Sequence, residues 1–370
     1  MKKNISRWPA LIVGLTMLIG CGAKIDVVKL GIAGPLTGDQ AKMGTDVLNG
    51  ATLAVEEWNS KGGVLGKPIV IVARDDMAQE QQAQSVAKEL AGEAVVGVVG
   101  HFNSGCTIPA SVVYHDSNIP MITPSSTNPY VTDRNFANVF RVCGRDDQQG
   151  KVAADFAVNT LKTKRVAILH DKTQYGQGLA DEFKKALGIN AEVVYYGGFP
   201  KEELNFKPII SAVKETNPDL WFFGGIYNQA GPMVVQAREA GLTAVFMSGD
   251  GVIDPVFLKV AGASAEGSYL TFSRDPKDVP AAQAFLDKYH KQYGEHGPYS
   301  IYAYDAANII LAAIQAAGST DGTKVSEQIR KTVYDGSIGK VQFDAKGDLA
   351  SSYYIIWVVK DGKFVPYENK

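Results

Sequence analysis

The apolar positions of this chain form short, nearly continuous runs that alternate with longer segments in which apolar residues recur every three or four positions. In the first half, the runs cover residues 27–33, 69–75, 95–100 and 120–123. Between them, helical periodicity covers residues 46–58, 80–91 and 104–115. Continuous apolar strands separated by helices predict a parallel sheet that is covered by helices on both faces.

This alternation stops near residues 143–147 and then begins again. The predicted strands of the second half are residues 165–171, 192–199, 219–226, 244–250 and 267–272. After residue 272 the pattern predicts three helices, a strand and a hairpin, at residues 281–292, 300–316, 325–333, 340–344 and 351–365. The pair Asp361-Gly362 is a strong signal for the hairpin turn. The predicted fold is α/β, with two doubly wound parallel-sheet halves that can face each other across a cleft.

The amino terminus has the order of an export signal. Lys2, Lys3 and Arg7 precede an apolar stretch, residues 9–19, that is shorter than the about 20 residues needed to span a bilayer. The stretch runs into LIGC, residues 18–21, which resembles the bacterial lipobox. We expect residues 1–20 to be a lipoprotein signal peptide and Cys21 to carry a lipid anchor. The alternative is an ordinary signal peptide in which Cys21 is incidental.

The net charge and the length of the chain limit which kinds of partner and domain organisation are expected. The chain has net charge −2, and residues 1–20 carry three cations and no acid, so the remaining side chains sum to −5. Such a balance argues against a nucleic-acid partner, which calls for a basic surface. The 350 residues from Cys21 onward exceed what one hydrophobic core usually serves, and two domains are expected.

Two further cysteines, Cys106 and Cys143, permit two interpretations. In an exported protein they can form a disulfide. As free thiols they would be small buried residues, since free cysteine packs as a hydrophobe.

The motifs of common enzyme classes are missing or incomplete. GGVLGKP, residues 62–68, lacks the first glycine of a phosphate-binding loop and has Pro68 in place of the Ser/Thr. The chain contains no G-x-S-x-G elbow, no G-x-G-x-x-G after the first strand, and no metal-ligand spacing among its five histidines. We therefore predict a protein that is not an enzyme and that uses no cofactor or metal.

The ends of the predicted strands carry the candidate binding chemistry. The stretch PMITPSSTNPY, residues 120–130, crowds hydroxyls behind an apolar run, and Ser104 and Thr127 each precede a predicted helix start. Hydroxyls and free N–H groups at helix starts form anion sites, although each residue alone could simply be a helix cap. Asp250, between two glycines, is either a turn residue or the counter-charge for a cation. Together these groups suit a zwitterion.

Seven stretches carry a resemblance to a known family. They are NSKGGVLGKPIVIVARDD (59–76), GHFNSGCTIPAS (100–111), PMITPSSTNP (120–129), FRVCGRDDQQG (140–150), HDKTQYGQGLA (170–180), QAREAGL (236–242) and FMSGDGV (246–252). In order and spacing the chain resembles the type I periplasmic binding proteins, and within them the leucine/isoleucine/valine-binding proteins of branched-chain amino-acid ABC importers.

The resemblance implies two lobes joined by three hinge crossings, near residues 143–146, 271–273 and 341–344. Lobe one would comprise residues 27–144 plus 273–341. Lobe two would comprise residues 145–272 plus 342–370.

The resemblance also implies a set of ligand-binding residues. The ligand carboxylate would meet Ser104, the backbone of Ser125, and Thr127, while its ammonium would meet Ser125, Thr127 and Asp250. Tyr175 would close over the ligand. The remaining members of the predicted set are Tyr227, Met43, Ile226 and Tyr299. Ile226 and Met43 stand where the family has aromatic residues, and Asp250 stands where it has a longer glutamate, so the side-chain preference stays open among aliphatic, aromatic and small neutral amino acids.

The function implied is an exported binding protein, in the periplasm or at the cell surface and anchored to the membrane through Cys21. It would act as a monomer that captures a branched-chain or other aliphatic amino acid between closing lobes and delivers it to an ABC permease. The alternative is an amino-acid sensor of the same fold, which passes closure to a regulatory partner.

Overall fold

The computed structural model of the protein describes residues 26–368. The predicted signal peptide, residues 1–20, and the predicted lipidation site, Cys21, lie outside the described residues. No helix within residues 26–368 combines the length and apolarity needed to cross a bilayer.

The described residues contain fourteen strands. They are β1 (Val28–Gly34), β2 (Ile69–Asp75), β3 (Gly97–Val99), β4 (Met121–Thr123), β5 (Val139–Arg141), β6 (Arg165–His170), β7 (Glu192–Gly198), β8 (Leu220–Gly224), β9 (Val245–Ser248), β10 (Tyr269–Phe272), β11 (Val333–Gly336), β12 (Gly339–Gln342), β13 (Ile355–Lys360) and β14 (Lys363–Pro366).

Twelve α-helices accompany these strands in the described part of the chain. They are α1 (Ala41–Ser60), α2 (Glu80–Gly92), α3 (Ser104–Asp116), α4 (Tyr130–Asp133), α5 (Asp146–Asn159), α6 (Gln174–Leu187), α7 (Lys207–Glu215), α8 (Tyr227–Glu239), α9 (Pro255–Ala261), α10 (Gln283–Tyr293), α11 (Ser300–Ala317) and α12 (Gly322–Lys331).

Twelve of the strands form two open sheets with the same internal order, and β11 and β12 pair separately with each other. The first is β2-β1-β3-β4-β5, and all of its strands are parallel. The second is β14-β13-β10-β9-β8-β6-β7, parallel from β7 to β10, with β13 and β14 added antiparallel at one edge. In both sheets the strand order reverses next to the first strand, between β1 and β3 and between β6 and β8. Open α/β sheets bind ligands at such switch points, beyond the carboxyl ends of the strands.

The predicted α/β fold with two doubly wound halves is confirmed, with local differences. Strand β5 was not predicted, because its apolar run, Val139-Phe140, is interrupted by the charged Arg141. The helix predicted over 325–333 ends at Lys331, and Val333 instead begins the β11–β12 hairpin. The hairpin turn at Asp361-Gly362 occurs as predicted, with positive φ at both residues.

Each sheet is the centre of one lobe. Lobe one consists of β1–β5 with α1–α4, together with the late elements α10–α12 and β11–β12. Helix α11 returns to lobe one because it packs along α1 and against β3 and β4. Lobe two consists of β6–β10, α5–α9 and the closing hairpin β13–β14. The chain therefore passes between the lobes after β5, after β10 and before β13.

The third crossing falls later than the 341–344 predicted from the sequence. Residues 343–348, expected in lobe two, pack on lobe one. The Phe343 ring lies against Phe140, with centroids 5.1 Å apart, and Gly347 accepts a hydrogen bond of 2.9 Å from the backbone N–H of Arg141. The physical reason is the buried Arg141, whose guanidinium requires an anion that this segment supplies.

Arg141 fastens the segment that follows β4. Its side chain is fully buried, and its Nε donates to Asp348 Oδ1 at 2.5 Å. Its Nη1 donates to the carbonyl oxygens of Ser126, at 2.8 Å, and Asn128, at 3.0 Å. One charged group thus ties the strand-end segment 123–128 to the third crossing.

Cys106 and Cys143 are both free and buried, so the disulfide interpretation is wrong for this structure. Burial raises the pKa of both thiols, which keeps them protonated and inert.

We predict that Asp348→Asn lowers the free energy of unfolding by about 3–5 kcal/mol, because it leaves the buried Arg141 guanidinium without its counter-charge. Urea unfolding followed by circular dichroism measures the change. Asp155→Asn is the matched control, since its ion pair with Lys151 is exposed, and it should change the free energy of unfolding by less than about 1 kcal/mol. Equal effects of the two substitutions would show that Arg141 does not depend on Asp348.

Candidate functional site

A cavity of about 470 Å³ lies between the two lobes. Its walls come from segments that follow strands at both switch points. Residues 102–106 follow β3, residues 171–175 follow β6, and Ile226 and Gln229 follow β8. The volume falls within the range of about 300–1,000 Å³ for small-molecule sites.

Asp250 is the buried acid of this cavity. It follows β9, is 2 % exposed, and accepts hydrogen bonds from Tyr175 Oη at 2.8 Å and Gln149 Nε2 at 2.9 Å, both from lobe two. Tyr299, from lobe one, donates its hydroxyl to the other carboxylate oxygen. The acid is therefore held by both lobes.

The two glycines beside Asp250 make this arrangement sterically possible. A Cβ at Gly249 would lie 2.5 Å from Gln149 Oε1, and a Cβ at Gly251 would lie 2.9 Å from Tyr175 Oη. The backbone N–H groups also take part, since Asp250 N donates to Gln149 Oε1 at 2.8 Å and Gly251 N donates to Tyr175 Oη at 2.9 Å. The sequence Gly249-Asp250-Gly251 therefore reflects close packing around the carboxylate.

The hydrogen-bond donors that reach Asp250 within the described residues are neutral. Burial raises the pKa of the Asp250 carboxyl, while the bonds from Tyr299, Gln149 and Tyr175 oppose that shift. Asp146, also fully buried, lies near it, and burial together with the Asp250 charge raises the pKa of Asp146 as well. Asp250 and Asp146 are thus two neighbouring buried acids, and no cationic group of residues 26–368 donates a hydrogen bond to Asp250. This side of the cavity therefore favours a bound cation.

The wall contributed by lobe one offers hydrogen-bond donors instead. Ser104 is the first residue of α3 and lines the cavity with Gly105 and Cys106. The first N–H groups of a helix have no acceptor within the helix and carry its positive dipole end, so they favour an anion. Ser125 lines the cavity too, but its hydroxyl donates to the carbonyl oxygen of Phe102 at 2.8 Å.

Thr127 does not stand at a helix start, contrary to the sequence-based prediction. Helix α4 begins at Tyr130, whose N–H donates to Asn128 Oδ1 at 2.9 Å, so Asn128 provides the cap. Thr127 is fully buried, and its hydroxyl lies beside the Asp146 carboxyl, where it lowers the pKa of that acid against the rise caused by burial. It does not line the cavity, although its neighbour Ser125 does.

The structure brings together six residues of the predicted set at the cavity wall: Ser104, Ser125, Tyr175, Ile226, Asp250 and Tyr299. Met43 and Tyr227 are outside the lining. Met43, 2 % exposed, belongs to the hydrophobic core, because the inward face of α1 packs there. Tyr227 is 3 % exposed and belongs to the same core, while the cavity meets its neighbour Ile226.

The polar residues at the cavity that sequence analysis missed include Asn103, Gln149 and Gln229. Gln149 contacts Asp250 from helix α5, 101 positions away. Local sequence held no signal for it. Asn103 and Gln229 directly neighbour predicted strand ends, so a fuller reading of those ends would have included them.

Direct contacts close the lobes on each other around the cavity. Besides the Tyr299 bond to Asp250, they comprise Asn128 Nδ2 to Gln174 O (2.7 Å), Asn228 Nδ2 to Asp39 O (2.9 Å), Lys201 Nζ to Ala78 O (3.1 Å) and Lys42 Nζ to Asp254 Oδ2 (3.3 Å).

Residues 26–368 contain no group of three or more His, Cys, Asp or Glu side chains arranged to hold a metal ion.

Comparison with known proteins finds a family and several relatives that this chain resembles. A family model described as periplasmic binding protein matches residues 27–363. The chain is 41 % identical to a Pseudomonas aeruginosa amino acid binding protein, over 98 % of this chain and 99 % of the relative. It is 38 % identical to the Leu/Ile/Val-binding protein homolog 2 of Brucella abortus, over 92 % of this chain and 93 % of the relative.

Solved structures of amino-acid binding proteins also match this chain. The leucine binding protein LivK of Thermotoga maritima matches with a TM-score of 0.87 at 31 % identity, over 92 % of this chain and 98 % of that one. The substrate binding protein LivJ of Streptococcus pneumoniae, solved in complex with isoleucine, matches with a TM-score of 0.84 at 28 % identity, over 92 % of this chain and all of that one. The Streptococcus pneumoniae protein is named as a branched-chain amino acid transporter substrate binding protein, and the family is one of binding proteins, not of enzymes. The chain belongs to the periplasmic binding protein family.

Proposed function

We propose that this protein captures an α-amino acid, of the branched-chain or another aliphatic kind, between its two lobes and delivers it to the permease of an ABC transporter. The observation that carries the proposal is the buried Asp250 carboxylate, which faces the interlobe cavity with neutral donors only among the described residues. A ligand ammonium would supply the missing charge.

The opposite wall suits the ligand carboxylate. The N–H groups at the start of α3 and the Ser104 side chain provide donors there. Ser125 N, which donates to Thr123 Oγ1 at a long 3.3 Å, and the Thr127 hydroxyl, which lies beside Asp146, remain in the proposed set because the resemblance implies them, and each would exchange its present contact for the ligand. A zwitterion bound this way has both charges met, which a buried charge requires.

The side chain of an aliphatic ligand would contact Phe102 and Ile226, which line the cavity together with the smaller apolar residues Ala78 and Pro200. Tyr175 and Tyr299 would enclose it, one from each lobe. The lobe-to-lobe contacts around the cavity then fix the closed form that a permease would recognise.

Relatives support transport over sensing. Those compared above are named as amino-acid binding proteins, and their solved counterparts include transporter substrate-binding proteins. A sensor of the same fold is the alternative, since a fold does not determine its function.

We propose that the protein is exported to the periplasm or the cell surface, anchored through a lipidated Cys21, and acts as a monomer. The family supports export. The order of basic, apolar, small and cysteine residues at the amino terminus supports the anchor.

Isothermal titration calorimetry should give binding with leucine, isoleucine or valine. Asp250→Asn should weaken that binding by about 2–5 kcal/mol, because it removes one partner of a desolvated charge pair. Asp181→Asn is the control, since Asp181 lies in lobe two outside the cavity lining and should leave the affinity unchanged. Unaltered affinity of the Asp250 variant would reject its role.

The affinity should fall as the pH is lowered from 7 toward the ordinary carboxyl range near about 4. Burial raises the pKa of Asp250 in the free protein, so protonation begins above that range and competes with binding of the ammonium. Calorimetry across this pH window measures the effect. Asp250→Asn, which cannot titrate at this position, should lose that part of the pH dependence.

Transport and sensing are separated by reconstitution in vesicles with an amino-acid ABC permease of the same organism. The liganded protein should stimulate ATP hydrolysis and uptake, while the unliganded protein should stimulate both less. Tight amino-acid binding without stimulation would instead favour a sensor.

A further inference from the structure

The wall of the interlobe cavity is more polar than an aliphatic side chain requires. Apart from the groups that surround Asp250 and the start of α3, the lining includes charged residues of both signs, Glu80, Asp171, Lys172, Lys201 and Glu202, and the amide residues Gln40, Gln79, Gln81, Asn103 and Gln229. Two of them carry buried polar atoms for which the described residues provide no hydrogen-bond partner, and these are Asn103 Oδ1 and Gln229 Oε1.

Gln229 is the more informative of the two. It lies on the first turn of α8, is 5 % exposed, and its Nε2 donates to the carbonyl oxygen of Lys201 at 2.5 Å. A carbonyl oxygen can only accept, so this bond fixes the orientation of the amide. The atom left over is therefore an oxygen, an acceptor that can be satisfied only by a donor.

Asn103 adds a polar atom from the other lobe. Its amide pairs with that of Gln40, with Nδ2 and Oε1 2.8 Å apart. Whichever way this amide pair is turned, one polar atom of Asn103 is not used by Gln40. Asn103 also immediately precedes Ser104, so it lies next to the proposed carboxylate site. The cavity thus carries an amide group on each lobe, near where the ligand would be held.

A purely aliphatic side chain would bury these groups without pairing them, which costs free energy. A hydroxyl or amide on the ligand side chain would pair with them. The apolar residues Phe102 and Ile226 on the same lining would still accommodate the methyl or methylene part of such a side chain.

We propose that Gln229 is a specificity-determining residue that accepts a hydrogen bond from the ligand side chain. The preferred substrates are then polar, uncharged α-amino acids that carry a hydroxyl or amide donor, and they bind more tightly than aliphatic amino acids of the same shape. This inference rests on the α-amino-acid site proposed above, keeps leucine, isoleucine and valine as ligands of that site, and ranks polar uncharged amino acids above them.

The test uses pairs of amino acids that match in shape and differ in the donor, threonine against valine and asparagine against leucine. Calorimetry on the wild-type protein should show the donor-bearing member of a pair binding about tenfold more tightly or better. A preference in one pair alone supports the proposal and identifies the donor as hydroxyl or amide. Equal or tighter binding of the aliphatic member in both pairs overturns it.

Gln229→Met tests the residue itself, since it keeps the length of the side chain and removes the amide. It should reduce the preference at least about tenfold, through weaker binding of the donor-bearing ligand. Gln236→Met is the matched control on the same helix. The Gln236 amide already bonds Phe206 N and Leu204 O, and it does not line the cavity, so the preference should persist in that variant. Circular dichroism checks that both variants are folded, and the wild-type comparison stands without them.

The outcomes separate this inference from the function on which it rests. Binding of leucine or valine with no gain from a donor overturns the role of Gln229 and leaves the amino-acid site intact. An absence of heat with all four amino acids rejects the site, and the selectivity with it. An unchanged preference in a folded Gln229→Met variant shows that other groups set the selectivity and overturns the assignment.

Discussion

The carboxylate of Asp250 is buried where the two lobes meet, and the surrounding structure is arranged around it. Gln149 and Tyr175 reach it from lobe two and Tyr299 from lobe one, all with neutral donors. Neutral donors stabilise the charge only in part, so burial still raises the pKa of the group. An acid held in this state gains most from a cation brought by a ligand, and the energy of that pairing is available to hold the lobes together.

The second constraint is the buried Arg141. Its contacts run to the segment after β4, which carries Ser125 and Thr127, and to Asp348 just before the third crossing. The same guanidinium therefore shapes one wall of the cavity and fixes where the chain leaves lobe one. This coupling means that the hinge region and the site are parts of one packed unit, so changes at the crossing can reach the cavity.

The cavity combines two kinds of surface. Phe102 and Ile226 suit an apolar side chain, whereas Gln229 and Asn103 carry amide groups that are incompletely paired within the described residues. The first surface suits an aliphatic amino acid such as the isoleucine bound by the Streptococcus pneumoniae relative. The second surface is polar, and it favours an amino acid whose side chain carries a hydrogen-bond donor. In the proposed site, different residues would recognise the α-groups and select the side chain, which would allow one set to change while the other is kept.

The sequence by itself determined the alternation of strands and helices, because buried parallel strands and amphipathic helices leave distinct periods in the apolar positions. It also located six residues that line the interlobe cavity, since the carboxyl ends of parallel strands converge and the residues that follow them can be read in order. The sequence could not show which of two adjacent residues at a strand end lines the cavity. Ile226 lines it and Tyr227 does not, and Gln149 reaches Asp250 from a helix 101 positions away. Those choices follow from how distant helices and the second lobe pack, and only the tertiary structure brings these surfaces together.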